Sequence, residues 1–163
     1  MIVKSVVLLF ALSIVTLGQG QFNCDDGWTL GRETTKCYQI LTHNLTFDGA
    51  TSACQKLDSK LATVESAAEN QAIYDLWRTK HRYFGPYING VRTGFGQLDF
   101  AWADGTWMDY TNYDNAAMND YGHAENCLEM LGSGRWNDLP CGSPRSVACE
   151  KAANPDQFNI DLM

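Results

Sequence analysis

The chain has 163 residues, with 12 Lys or Arg against 19 Asp or Glu, for a formal charge of -7. That balance argues against nucleic-acid binding, which rests on Lys and Arg neutralising phosphates, and it leaves carboxylates of the kind a hard cation uses. The length fits one ordinary domain with enough chain to bury a core.

Residues 1–20 carry Lys4, the apolar run Val6 to Leu17, and small residues at Gly18 and Gly20, the order of a secretory signal peptide. The run is shorter than the roughly 20 residues that cross a bilayer, and no later stretch is apolar enough to insert. Cleavage after Gly20 would start the mature chain at Gln21, remove the single charge of Lys4 and change -7 to -8. The expectation is a secreted, extracellular protein: signal peptide 1–20, one domain 21–150 and a short tail 151–163.

Cys24, Cys37, Cys54, Cys127, Cys141 and Cys149 all lie in the mature part. An even count in an oxidising compartment reads as disulfides. No CxxC pair occurs and the histidines are scattered, which speaks against structural zinc. Spacing alone does not choose among the possible pairings.

In chain order, Gly27-Trp28 and Gly31 suit a turn between Cys24 and Cys37, and Tyr38-Gln39-Ile40 continues as a strand. Thr46 is placed to cap a helix through Ala50, Ala53, Cys54 and Leu57. Lys60 to Val64 alternates as a short strand. Ser66 and Glu69 form a capping box for a second helix, whose Ala72, Ile73, Leu76 and Trp77 recur at core spacing before Arg78 and Lys80.

From Gly85 to Cys127 glycine, asparagine, aspartate and aromatics dominate, predicting an ordered loop region with short strands. Leu128 to Leu131 and Arg135 to Asp138 flank Gly132-Ser133-Gly134 as a hairpin. Ser146 to Glu150 is a last strand, and 151–163 is polar apart from Phe158, Ile160, Leu162 and Met163.

This order resembles the C-type lectin-like domain. The resemblance is carried by Gly27-Trp28, Cys37-Tyr38, the helix with Cys54, and Leu61-Ala62-Thr63-Val64-Glu65-Ser66. It continues in Tyr87-Ile88-Asn89-Gly90, Phe100 to Thr106, Tyr110-Thr111-Asn112-Tyr113, Glu125-Asn126-Cys127, Trp136 to Cys141 and Cys149-Glu150. It implies an α+β fold, two helices flanking small antiparallel sheets with a long structured loop. It also implies the disulfides Cys54–Cys149 and Cys127–Cys141, plus Cys24–Cys37 in members with an extra N-terminal hairpin.

The resemblance further implies a calcium and sugar site. Its first stretch, Glu-Pro-Asn or Gln-Pro-Asp in sugar-binding members, falls here on Ala117-Met118-Asn119. Ala117 offers no oxygen, and Met118 replaces a proline that is cis in the family. A cis bond before a non-proline residue costs about 2.5–4 kcal/mol, so this loop is expected to run trans. The ligand set carried over is Asn119, Glu125, Asn137 and Asp138, a weakened calcium and sugar shell. Adjacent residues of a regular strand face opposite ways, so Asn137 and Asp138 share an ion only if the strand end distorts. A second calcium site is poorer still, with Asp120 at a ligand position, Asn126 where a carboxylate often stands, and Arg92 in a normally acidic loop.

Asn44-Leu45-Thr46 is a glycosylation sequon. The chain has neither a GxSxG elbow nor an HExxH motif, and no thiol is left free if the disulfides form, so no enzyme is expected. The resemblance implies a secreted calcium-dependent carbohydrate-binding lectin of the innate-recognition type, with an atypical primary site and glycans on cell or microbial surfaces as partners. The alternative is a domain of the same fold that binds a protein ligand without calcium or sugar, through the aromatic loop surface around Trp107, Tyr110 and Tyr113.

Overall fold

The computed structural model describes residues 22–80 and 84–155, so the expected signal peptide and residues 156–163 of the expected tail lie outside the described residues. Ahead of the first helix come β1 (Phe22–Asn23), β2 (Thr29–Leu30) and β3 (Lys36–Leu45). Helix α1 (Phe47–Gln55), β4 (Lys60–Leu61) and helix α2 (Ala67–Lys80) follow. The second half carries β5 (Pro86–Arg92), β6 (Phe100–Trp102), a 3-10 turn at Tyr121–His123, β7 (Cys127–Met130) and β8 (Trp136–Leu139). It ends with β9 (Arg145–Ala152) and β10 (Asn154–Pro155).

Both helices start where their caps predict. Thr46 is extended, and its Oγ1 accepts from the Gly49 N–H at 3.3 Å, satisfying one orphan donor of the first turn. The Ser66 Oγ accepts from the Glu69 N–H at 3.2 Å, but the Glu69 carboxylate reaches back to the Glu65 N–H, one residue earlier than the predicted reciprocal bond. Phe47, Ala50 and Cys54 of α1, and Ile73 and Trp77 of α2, are buried, as the helical spacing requires.

The main sheet runs β2-β3-β9-β5-β7-β8, with β4 beside β9 and β6 beside β5; only the β5–β9 pair is parallel. Three differences from expectation share one cause, tertiary pairing. β3 runs ten residues, well past Tyr38–Ile40, because it pairs with β9 from Lys36↔Ala152 to Leu41↔Val147. β9 passes residue 150, and β10 pairs with β1 at Phe22↔Pro155, so ordered chain crosses the expected domain boundary. Most consequential is β5, 7 residues long and central in the sheet, within a stretch expected to be loops and short strands. Pro86 to Gly90 is buried throughout, and a strand covered on both faces shows no alternation. Gly90 is required there, since a Cβ would stand 2.3 Å from Leu128.

The disulfides are Cys24–Cys37, Cys54–Cys149 and Cys127–Cys141, the set the resemblance implies. Cys54–Cys149 ties α1 to β9 across a sequence separation of 95. In the chain-entropy model, closing a loop of that size is worth about 4–5 kcal/mol. The core beneath the helices centres on Trp77, Trp102 and Trp136, all at most 1% exposed.

Candidate functional site

The long loop region is pinned to the sheet through Trp136. Its indole Nε1 donates to Asn70 Oδ1 at 2.7 Å, and Trp102, Tyr110 and Tyr113 meet its ring edge to face, each with centroids 5.7 Å away. Backbone bonds from Trp136 N to Asn112 O and from Asp114 N to Trp136 O bind residues 112–114 along the start of β8. Met118 is fully buried in the same cluster. At the position where sugar-binding members carry proline, this chain has an apolar plug that anchors the loop. No cis peptide bond occurs among the described residues, so the loop runs trans, as Met118 predicts.

β8 pairs regularly with β7, Glu129 opposite Asn137 and Leu128 opposite Asp138. Regular pairing sends Asn137 and Asp138 to opposite faces. Asn137 donates from Nδ2 to Glu129 Oε1 at 3.1 Å, and Glu129 also accepts from the Arg145 guanidinium. Asp138 is fully buried on the other face. Its Oδ1 accepts from Asn119 N at 3.1 Å, and its Oδ2 accepts from Asp120 N at 2.9 Å and from Arg92 Nη2 at 2.8 Å.

Arg92, at the end of β5, has a side chain only 8% exposed. It spends its donors on oxygens from separate segments. Nε and Nη2 reach Glu125 O at 3.1 and 2.9 Å, while Nη1 reaches Gly96 O at 2.8 Å and Gln97 O at 3.2 Å. Asp120 Oδ1 lies 3.7 Å from Nη2, and the Phe100 ring lies under the guanidinium, 4.6 Å from Cζ.

Glu125 turns its carboxylate onto the 3-10 turn, accepting from Tyr121 N at 2.8 Å, while Asp120 Oδ1 accepts from Glu125 N at 3.3 Å. Burial raises the Glu125 carboxyl above its ordinary range; the Tyr121 hydrogen bond and Arg92 oppose this, and the negative charges of Asp138 and Asp120 add to it. Asp120 is held below its ordinary range: burial pushes it up, but bonds from His123 and from the Glu125 N–H, together with Arg92, outweigh that. Asp120 itself has φ 44°, a left-handed conformation sustained by these contacts.

Of the four residues carried over as calcium ligands, Asn119 is exposed and contributes its backbone N–H to Asp138. Glu125 caps a turn, Asn137 faces Glu129, and Asp138 accepts from two backbone N–H groups and a guanidinium. The four are not gathered into one oxygen shell. Calcium takes six to eight oxygens, and a fixed positive charge among the same oxygens opposes it, so these residues as placed do not fit the ion. Among the described residues no group of three or more His, Cys, Asp and Glu is placed to hold a metal. Strand alternation separates Asn137 from Asp138, and Asp138 has Arg92 as its charged partner.

Beyond this cluster the loop face is aromatic. Trp107 and Tyr121 are each 81% exposed, and Phe95 is fully exposed. A shallow groove of about 430 Å³ runs beside Trp107, lined by Thr93, Leu98, Phe100, Met108 and Tyr113. Tyr113 both lines this groove and packs partly buried against Trp136, whereas Tyr110 packs against the core and faces Trp136.

The Lectin C-type domain model matches residues 43–151. Among solved structures, the chain is similar to the cow C-type carbohydrate-recognition domain of CD23, solved in the presence of an oligosaccharide. Identity is 29% and the TM-score 0.70, over 82% of this chain and 99% of that one. It is also similar to a calcium-independent type II antifreeze protein, at 27% identity and TM-score 0.68 over 82% and 98% of the two chains. Human lithostathine shares the fold at 21% identity and TM-score 0.69, over 79% and 99%. With its matched core, its fold and its three disulfides, the chain belongs to the C-type lectin domain family.

Proposed function

We propose that the chain is a secreted binding module, not an enzyme, that engages a protein ligand without calcium through the aromatic loop face bearing Trp107. The observation that carries this reading is the commitment of Asp138. Its carboxylate is buried, paired with Arg92 and bonded to two backbone N–H groups, so three donors of the protein's own already engage it. A sugar bound through a shared calcium would need that carboxylate free and Asn137 beside it, whereas Asn137 lies on the opposite face of the strand with its Nδ2 donating to Glu129.

The exposed Trp107, with Leu98 and Phe95 nearby in the chain, supplies the large apolar anchors that are enriched at protein interfaces. A calcium-independent protein among the similar structures supports a fold that stands without the ion. Secretion rests on the leader-like residues 1–20 and the three disulfides.

The test is expression in a eukaryotic host with a calcium titration by calorimetry and passage over mannose and galactose resins. The expected result is medium protein beginning at Gln21, no calcium heat, and no fraction released by chelator. Retention that a chelator or competing sugar reverses would overturn the reading in favour of the calcium-dependent lectin.

A further inference from the structure

We infer that the cleft where β9 runs between β3 and β4 binds a small zwitterion of the amino-acid type, taking its ammonium on Glu150 and its carboxylate on Lys60. The cleft shares no lining residue with the groove beside Trp107, so the inference goes beyond the reading above and does not depend on it.

The sheet builds the cleft. Glu150 of β9 stands opposite both Tyr38 of β3 and Lys60 of β4, and Ala152 stands opposite Lys36. Opposed residues, and every second residue along a strand, share a face, so Lys36, Lys60 and Glu150 rise on the same side. With Asp58 and Glu65 they line a cleft of about 500 Å³. Small-molecule sites run from about 300 to 1,000 Å³.

Glu150 is the group left short of a partner. It is 2% exposed, and its Oε1 accepts from Thr63 Oγ1 at 2.7 Å, but its Oε2 accepts no hydrogen bond among the described residues. Lys36 Nζ stands 3.6 Å from Oε2, too far for a hydrogen bond, and directs its donors to Glu65 at 2.6 Å, Glu69 at 3.1 Å and Thr63 at 3.5 Å. A buried carboxylate oxygen without a donor is costly, and burial raises this carboxyl above its ordinary range despite Lys36, Thr63 and Lys60. Lys60 is the complementary group. Its side chain is half exposed, and its Nζ donates to Asp104 at 2.7 Å, which leaves N–H capacity for a ligand.

Charge then selects the ligand. A cation alone meets the ammonium groups of Lys36 and Lys60, and an anion alone meets Glu150 and Glu65. A molecule with both charges on one carbon answers both: its N–H donors reach Glu150 Oε2 while its carboxylate accepts from Lys60. Lys60 Nζ lies 3.5 Å from Glu150 Oε1, so the two poles sit close enough to serve one small ligand. Such charge-assisted bonds are roughly twice as strong as those of a neutral hydroxyl. The lysine stems and the Ala152 methyl supply apolar surface for an aliphatic side chain.

The experiment titrates the protein in chelator and follows backbone amide resonances by NMR. The probes are L-leucine, leucine methyl ester (a cation only), N-acetylleucine (an anion only), glycine betaine (both charges but no N–H) and methyl α-mannoside. Leucine is expected to move Lys60, Thr63 and Glu150 saturably, with a millimolar dissociation constant, and the other four probes to leave them in place. Glu150→Gln keeps an oxygen for Thr63 but removes the anion, and Lys60→Met keeps the stem but removes the donor. Each should weaken leucine binding about tenfold.

Absence of saturable shifts with leucine overturns the inference. So does any of the other probes moving those resonances as readily as leucine, since one charge, or a hydroxyl, would then suffice. Undiminished leucine binding by either folded variant overturns it as well. Should Glu150→Gln fail to fold, Lys60→Met, changed at a half-exposed side chain, decides alone. None of these results bears on the loop face, whose own test is read by calcium heat and resin retention.

Discussion

The β7–β8 hairpin carries two carboxylate–arginine pairs, Glu129–Arg145 on one face and Asp138–Arg92 on the other, and they do different work. On one face Glu129 of β7 receives Asn137 of the adjacent β8 and Arg145 of β9, which lies one strand beyond β5 in the same sheet, so the sheet already sets the positions of all three. On the other face Asp138 receives Arg92 and the amides of residues 119 and 120, which no ladder aligns. Glu129 is 5% exposed and Asp138 fully buried. The comparison teaches that similar chemistry is redundant where secondary structure sets the geometry and decisive where only side chains do.

The largest break should come at Asp138. Asp138→Ala leaves the Arg92 charge buried without its partner, and removing one member of a buried pair costs about 3–5 kcal/mol, to be read by denaturant unfolding. Amide protection at Asn119 and Asp120 should vanish with it. Glu129→Gln keeps an acceptor for Asn137 and leaves Arg145 partly solvated, so about 1–2 kcal/mol is expected. Those two loop amides should stay protected. Equal effects on the loop from both substitutions would erase the distinction between the faces.

Glu150 sharpens the contrast, because lysines partner it where arginines partner the other two. Burial raises its carboxyl above the ordinary 4.5, against the pull of Lys36, Thr63 and Lys60. A raised acid contributes stability that is fully present below its unfolded value and is lost as pH rises through the folded one. The stability difference between Glu150→Gln and wild type should therefore move in the variant's favour as pH rises from 4.5 towards neutrality, by urea unfolding at several pH values. The opposite slope would mean that the lysines outweigh the burial of Glu150.

The smallest effect belongs to the surface pair Lys60–Asp104, at 2.7 Å. Burial pushes the Asp104 carboxyl up, but hydrogen bonds from Lys60 and Thr106 outweigh it and hold the group at about 2. Its contribution is present above the ordinary 3.8 and is lost as pH falls towards 2. Asp104→Asn should cost little at neutral pH, and salt should screen most of that cost.

The two halves differ as much in what the sequence reveals. α1 and α2 were legible because Thr46 and Ser66 mark their starts and buried residues recur at helical spacing. β5 was not, because a strand buried on both faces loses its alternation, and the glycine, asparagine and aromatic texture around it reads as loops with short strands. The disulfide pairing came only through the family resemblance. Asn137 and Asp138 were found as a motif, and the alternation rule that argued against their sharing an ion describes where they point. Arg92 stood out only as a misplaced charge. Its role was hidden because three of its acceptors are backbone carbonyls, which carry no side-chain signature, and the fourth lies 46 positions along the chain. Met118 was read as a loss, yet its burial is what seats the loop.

The central claim is that the loop around Asp138 is complete without a metal. Its most direct test is a calcium titration of the wild-type protein followed by the backbone amide resonances of Asn119, Asp120, Tyr121 and Glu125. Shifts that stay constant from chelator to millimolar calcium are predicted. Saturable movement of those four resonances together would contradict the account.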